Sequence, residues 1–345
     1  DSGEPGAIWA AQRVPDDHIC IIPNWSVIKT IDLDRPDTFM ASKNYLSEAV
    51  KHGWYDPESG DPFIWQDIYS PVPREWATSR FWLFFSTYAP NLKKWPARAL
   101  QGPFEGYDNY HQFVEDLSLY PFSVKPSTKL SVQDVIAFQR SVYENTIYDM
   151  TADTDWFVPD KEGNLTKSPL ATPFPTKAMR ELLDIPYRRM VSRGGYGMVT
   201  QLRSWLPDEI GGVYWLYLDN QYVSTYVPIY AGVERIHDSY KEYDPDNFSP
   251  SSARWAIDFV DNLLYLKWQD AVKDVQTKRD SLESSFFSQQ RLIEEKFIRL
   301  NDKNPAGARR MLTEYTKECM KKTVLMYQEL QAELITTYTN NKQHL

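Results

Sequence analysis

The carboxyl-terminal end of this 345-residue chain constrains its fold more than any other stretch. Ile257, Val260, Leu264, Trp268, Ala271 and Val275 recur at intervals of three or four, and Leu282, Phe286, Ile293 and Phe297 carry the stripe onward. Apolar residues at that spacing line one face of an α-helix. The polar stretch Asn301 to Asn304 interrupts the pattern, and Pro305 then supplies the fixed φ that suits a first helical turn. A second stripe follows in Ala308, Leu312, Tyr315, Cys319, Met326, Leu330, Leu334 and Tyr338. Two long helices joined by a short loop bury such stripes by packing antiparallel, so residues 251–345 are expected to form a helical hairpin.

Upstream the period changes to two. From Gly194, Tyr196, Met198, Thr200 and Leu202 alternate with Gly197, Val199, Gln201 and Arg203. The turn Pro207 to Gly212 leads into Val213 to Asp219, and Asn220-Gln221 turns into Tyr222 to Tyr230. Three consecutive antiparallel strands are the economical interpretation, and such a meander needs a cover for at least one face. Ser131, with Asp134 three residues on, has the form of a helix cap; Val135, Phe138 and Val142 extend the expected helix to about Asn145. Thr151 to Pro175 is polar and Pro-rich without period, and reads as a surface excursion. Near the start, the strand-like runs Ala7 to Ala11 and His18 to Ile22 flank the turn Val14-Pro15-Asp16-Asp17, whose acids suit turn chemistry. Asp32 to Asp37 resembles a helix entry. The residues alone thus predict an α+β protein.

Composition excludes several function classes. A net charge of -9 and the lack of a Lys/Arg cluster argue against a nucleic-acid partner. No apolar run approaches the ~20 residues of a membrane span. Cys20 and Cys319 belong to no CxxC pattern, and Cys319 falls on the apolar stripe of the second long helix, where a structural cysteine is expected. The histidines His18, His52, His111, His237 and His344 are scattered, so neither a metal nor any cofactor is expected. Gly194-Gly195-Tyr196-Gly197 opens a strand and lacks the lysine of a phosphate loop. The opening Asp1-Ser2-Gly3-Glu4-Pro5-Gly6 has no methionine and reads as a chain beginning inside a larger gene product.

Longer strings move the argument from class to family. Trp9-Ala10-Ala11-Gln12-Arg13-Val14-Pro15-Asp16-Asp17 resembles the WVAQRVPDD signature of the cysteine dipeptidase family typified by bacterial dipeptidase A. Gln201 to Pro207, Ile210 to Trp215 and Tyr226 to Gly232 are similar to that family's QxRSWLP, IGGVxW and YVPxYAG run. Asp116 to Pro126 and Ala308 to Tyr315 have counterparts too; the likeness extends from about Trp9 to Asn340, with Asp153 to Thr176 diverging. The resemblance implies an αββα sandwich of the N-terminal-nucleophile hydrolase type. Residues 1–250 would give its later part and residues 251–345 the hairpin packed on it. It also implies dipeptide substrates, and a nucleophilic cysteine freed by removal of a propeptide. That cysteine would lie on an upstream segment of the same precursor, a partner for this chain.

Two residues carry over by pattern. Asn24, in Pro23-Asn24-Trp25-Ser26, sits where the family has its PNxS or ANQS element, and its amide can donate to a tetrahedral oxygen. Arg80, in Ser79-Arg80-Phe81-Trp82, resembles the arginine of SRRxW or SRF near the catalytic thiol, where a fixed cation favours thiolate. The other readings are a turn asparagine or glycan acceptor for Asn24, and an ordinary ion pair for Arg80. Arg203 could hold the substrate carboxylate with two bonds or pin the Pro207 to Gly212 turn. Arg13 and Asp17 rank below these, as structural members of the turn. Trp25 replaces the family's usual glutamine, and Phe81 stands where another arginine is common.

A function of a different class stays open: an acidic, Trp-rich module that binds glycans or another protein without hydrolysis. The hairpin could equally be a contact between copies of the chain. The sequons at Asn24, Asn164 and Asn247 allow a secreted, periplasmic or lysosome-like location, and the sequence does not fix the compartment.

Overall fold

Short runs between turns make short strands, and the amino-terminal part of the chain is built that way. The computed structural model describes residues 6–70, 75–97, 120–185, 191 and 194–339. Asp1 to Pro5, His111, His344 and the first four residues of the Asp116 to Pro126 string lie outside them. The protein is α+β and divides into two units, Asp1–Leu130 and Ser131–Leu345.

In the first unit β1 (Ala10–Gln12) pairs antiparallel with β2 (Phe39–Ala41), placing Ala11 opposite Met40. His18 to Ile22 is extended but contributes one bridge, in which Ile19 and Val124 exchange backbone bonds of 2.8 and 3.0 Å. The helix expected to enter at Asp32 does not form. Its acids bond locally, with the Asp34 N–H donating to Asp32 Oδ1, and Pro36 disfavours a helical Arg35; the chain turns and enters β2. Two short helices follow, α1 (Tyr45–Lys51) and α2 (Trp65–Tyr69), then α3 (Glu75–Tyr88). Free of Gly and Pro, α3 sets Ala77, Phe81, Phe84, Phe85 and Tyr88 at helical spacing, all buried. Phe81 and Phe85 stack against Tyr120 at 5.4 and 5.5 Å between centroids, and Trp95 packs on Phe85 at 4.7 Å. Much of the chain's high aromatic content is therefore core here.

The second unit opens with α4 (Val132–Arg140), where Ser131 and Asp134 make the expected capping box. It stops at Arg140 rather than near Asn145, because Tyr143 and Asn145 take positive φ and side chains of Thr146 and Asp149 bond the backbone of that loop. The excursion after Thr151 contains an exposed hairpin of β3 (Phe157–Pro159) and β4 (Leu165–Lys167), yet Trp156, Ala171, Thr172 and Phe174 are buried. A polar composition hid these anchors. After α5 (Lys177–Leu182) comes the meander: β5 (Tyr196–Leu202), the one-turn α6 (Asp208–Gly211), β6 (Gly212–Leu218) and β7 (Val227–Tyr230), in spatial order β5-β6-β7. Gly197 lies opposite Tyr217, whose ring crosses it so closely that a Cβ there would stand 2.4 Å away.

Helices close one face of this sheet. The first apolar stripe is divided between α7 (Ala253–Leu263) and α8 (Trp268–Asn301), with Lys267 leaving the helical region between them. Leu264 and Trp268 remain four residues apart across the break, so periodicity is blind to it. The last helix, α9 (Pro305–Tyr338), starts at Pro305 with Asn304 as its cap and packs against α8 and α7. Trp215 of β6 stacks on Phe287 of α8 at 4.1 Å, and Val199, Val213, Tyr217 and Tyr230 share a core with Phe286, Phe297, Leu312 and Met320. On the opposite face Tyr196, Met198 and Leu202 of β5 are exposed, as is Trp205 beyond it.

Candidate functional site

The loop Pro23 to Ser26 is held by Gln66 of α2 and by Ser70, the residue that ends that helix. Trp25 Nε1 donates to the Ser70 carbonyl at 2.7 Å, the Ser26 N–H donates to Ser70 Oγ at 3.1 Å, and Gln66 Nε2 donates to the Ser26 carbonyl. Asn24 adopts φ of +67°, a left-handed conformation that asparagine tolerates better than most residues. Against it lies Arg80, on the same side of α3 as Ala77 and Phe84 and only 9% exposed. Arg80 Nη1 donates to Asn24 Oδ1 at 2.7 Å. The structure thus brings together the two residues singled out from the family pattern.

That bond settles the orientation of the amide. A guanidinium only donates, so the Asn24 oxygen must face Arg80 and the Nδ2 hydrogens must point away from it. Among the described residues no other hydrogen bond to the Asn24 side chain is seen, and the residue is exposed. The product is a fixed N–H donor backed by a buried cation, an arrangement suited to a developing negative charge on a carbonyl oxygen.

Arg203 belongs to the other unit. It sits at the end of β5 and makes a two-pronged ion pair with Glu294 of α8, at 2.8 Å from Nη1 and 2.7 Å from Nη2, while Nη2 also donates to the Ile210 carbonyl at 2.7 Å. These are the contacts of an arginine pinning the Pro207 to Gly212 turn, and the carboxylate it holds is the chain's own. Three turns earlier on α8, Glu283 does the same for the other connection of the meander. It takes 2.9 and 2.7 Å bonds from Arg140, whose guanidinium also reaches the Gln221 and Ser224 carbonyls. Burial opposes the Arg140 charge, and the Glu283 carboxylate outweighs it, holding the guanidinium above its usual range. Arg13 bonds Asp16 at 3.1 Å and Asp17 pairs with Lys125 at 3.0 Å, both on the surface.

Neither thiol of the chain is activated. Burial pushes Cys20 up to about 11 and Cys319 up to about 12. Both favour the protonated thiol in the folded state. Their contribution to stability is therefore complete below the ordinary thiol value and lost as pH rises through 11 to 12. The native chain is expected to react with a disulfide reagent at pH 8 roughly a hundredfold more slowly than a free thiol, and both cysteines to react promptly in urea. A fast native phase would mean that one of these thiols is ionised. Among the described residues no group of three or more His, Cys, Asp or Glu is placed to hold a metal ion, and no helix is long and apolar enough to cross a membrane.

Sequence reasoning missed the parts played by Gln66 and Ser70, Arg140, Glu283 and Glu294. One local signal was available for Arg80: a cation set among apolar residues on the face of a helix is buried only with a partner.

Comparisons with known proteins converge. A model described as Peptidase family C69 matches residues 3–281. The chain is similar to a probable dipeptidase of Latilactobacillus sakei, 25% identical over 254 residues covering 72% of this chain and 44% of that protein. A probable dipeptidase B of Lactococcus lactis is 26% identical over 269 residues, covering 73% and 46%. Dipeptidase A of Lactobacillus helveticus is 22% identical over 231 residues, covering 66% and 40%. The chain spans less than half the length of each of these relatives.

Proposed function

The chain belongs to peptidase family C69, and from that premise we propose that it forms the later part of a cysteine peptidase that hydrolyses dipeptides. The nucleophile comes from an upstream segment of the same precursor, whose propeptide is removed to free an amino-terminal cysteine. Its thiolate adds to the peptide carbonyl while its own α-amine carries the proton to the departing amine. The C–N bond breaks and a thioester remains. Water then adds and the C–S bond breaks, releasing the second product as a carboxylic acid. Asn24 Nδ2 donates to the oxyanion in both steps, and Arg80 holds Asn24 and favours the thiolate. The observation that carries this reading is the 2.7 Å bond between Arg80 and Asn24. Arg203 is a structural residue in it.

The same reading makes residues 1–250 the later part of an αββα sandwich with the 251–345 hairpin on one side. The exposed Tyr196, Met198 and Leu202 support it, since they form the kind of sheet face that a second sheet covers. Protein isolated without denaturation and then separated under denaturing conditions is expected to carry an amino-terminal cysteine upstream of these residues, either on the same polypeptide or on a second, smaller one. Recovery of the 40.3 kDa chain alone from active material would overturn the reading. Lack of hydrolysis in every preparation would favour a non-catalytic binding module.

A further inference from the structure

The residues following Asn24 and Arg80 also meet. Trp25 and Phe81 touch edge to face, with ring centroids 5.7 Å apart and planes at 83°. Both are buried, at 5% and 1% exposure, and neither ring is available to a substrate. Phe81 is in turn stacked on Phe85 and Tyr120, and Trp25 is tied by its Nε1 to the carbonyl of Ser70, the residue that ends α2. Two consecutive loop residues thus dock on two consecutive residues of α3.

Successive side chains leave a helix about 100° apart. A single contact between loop and helix would act as a pivot, whereas two contacts that far apart around the axis also fix the loop's rotation. We infer that Trp25 and Phe81 are positioning residues for Asn24. Their ring contact, together with the Trp25 bond to Ser70, keeps Asn24 in its left-handed conformation with Oδ1 on Arg80 and Nδ2 directed outward. These are also two of the positions at which the sequence departs from the pattern of the family it resembles, and the structure makes them one apolar pair.

The inference rests on the reading of Asn24 as an oxyanion donor, and the test separates the two. The side-chain amide of Asn24 is followed by nitrogen-resolved NMR in the full chain, assigned by its loss in Asn24→Ala. Trp25→Phe keeps the ring and removes the Nε1 bond, and Phe81→Leu removes the edge contact. Phe39→Leu, buried in β2 of the same unit, is the control for general loosening of the core. Both pair variants are expected to shift the Asn24 amide signals and speed their hydrogen exchange by about threefold or more, with Phe39→Leu leaving them in place at a similar loss of melting temperature. Unmoved signals in the pair variants, or equal movement in the control, would overturn the inference.

In material carrying the cysteine segment, each pair variant should lower kcat about tenfold with KM within about twofold. Neither should lower it further in an Asn24→Ala background. A further loss in that background would show that the pair acts elsewhere and would also overturn the inference. If the unaltered material hydrolyses no dipeptide, the oxyanion reading falls, and the amide signals still decide whether the pair positions Asn24.

Discussion

In the proposed enzyme, with the cysteine segment present, Asn24→Ala is expected to lower kcat for dipeptide hydrolysis by 10²–10³-fold, roughly 3–4 kcal/mol of transition-state stabilisation, with little change in KM. The size follows from removing one preorganised donor to the oxyanion, which interacts strongly only once charge has developed on the oxygen. Arg80→Met should reach much of the same loss by another route. Without the guanidinium, nothing compels Oδ1 inward, and the amide is free to present an oxygen to the oxyanion. Adding Arg80→Met to Asn24→Ala should cost less than the product of the two single losses, because each disables one device. Full multiplication, measured by steady-state kinetics, would mean that Arg80 acts chiefly on the thiolate. Retention of wild-type kcat by Asn24→Ala would remove Asn24 from the site.

The largest loss of stability is expected at Glu283. Its side chain is 9% exposed and that of Arg140 13%, so Glu283→Ala leaves a buried guanidinium without its carboxylate. Breaking such a pair costs about 3–5 kcal/mol, readable as a lower urea midpoint at unchanged slope. The Tyr226 N–H loses its acceptor at the same time, since Glu283 Oε2 takes that bond at 2.9 Å. Replacing both partners by apolar residues, as in Arg140→Met with Glu283→Leu, should recover a good part of the loss, because the desolvation of two charges disappears with them. Glu294→Ala is the parallel case for the turn held by Arg203, with both side chains 11% exposed. A shift of less than about 1 kcal/mol in either single variant would show that water reaches the guanidinium.

What could be read in the sequence was local. The Ser131–Asp134 cap, the alternation of β5 and β6 and the stripes of α8 and α9 each depend on residues a few positions apart. Backbone geometry alone imposes those patterns. The helix end at Arg140 and the break at Lys267 escaped because side chains of the following loop, in the first case, and a register kept across the gap, in the second, leave the periodicity intact. Asn24 and Arg80 were singled out by family pattern, and nothing in the order of residues says that they touch across 56 positions. The pairs Arg140–Glu283 and Arg203–Glu294 span 143 and 91 positions and were legible in no local window. Burial decides which charges must find each other, and burial is a property of the assembled core.

The exposed side chains of β5 are expected to set how this chain behaves in a test tube. Leu202 is 77% exposed, beside Tyr196 and Met198, on an outer strand of the described sheet, and Trp205 just beyond the strand is 77% exposed as well. The Met198 carbonyl on this strand is taken by Gln139 of α4, but backbone donors and acceptors left on an outer strand can pair with a neighbouring molecule, and the apolar side chains reward the encounter. At raised concentration the isolated chain should therefore form oligomers of no fixed size. Ammonium sulfate should promote them and chilling disperse them, as hydrophobic contact strengthens in excluded salts and weakens in the cold. For anyone purifying it, colloidal behaviour would be governed by a few side chains on one strand, ahead of the net charge.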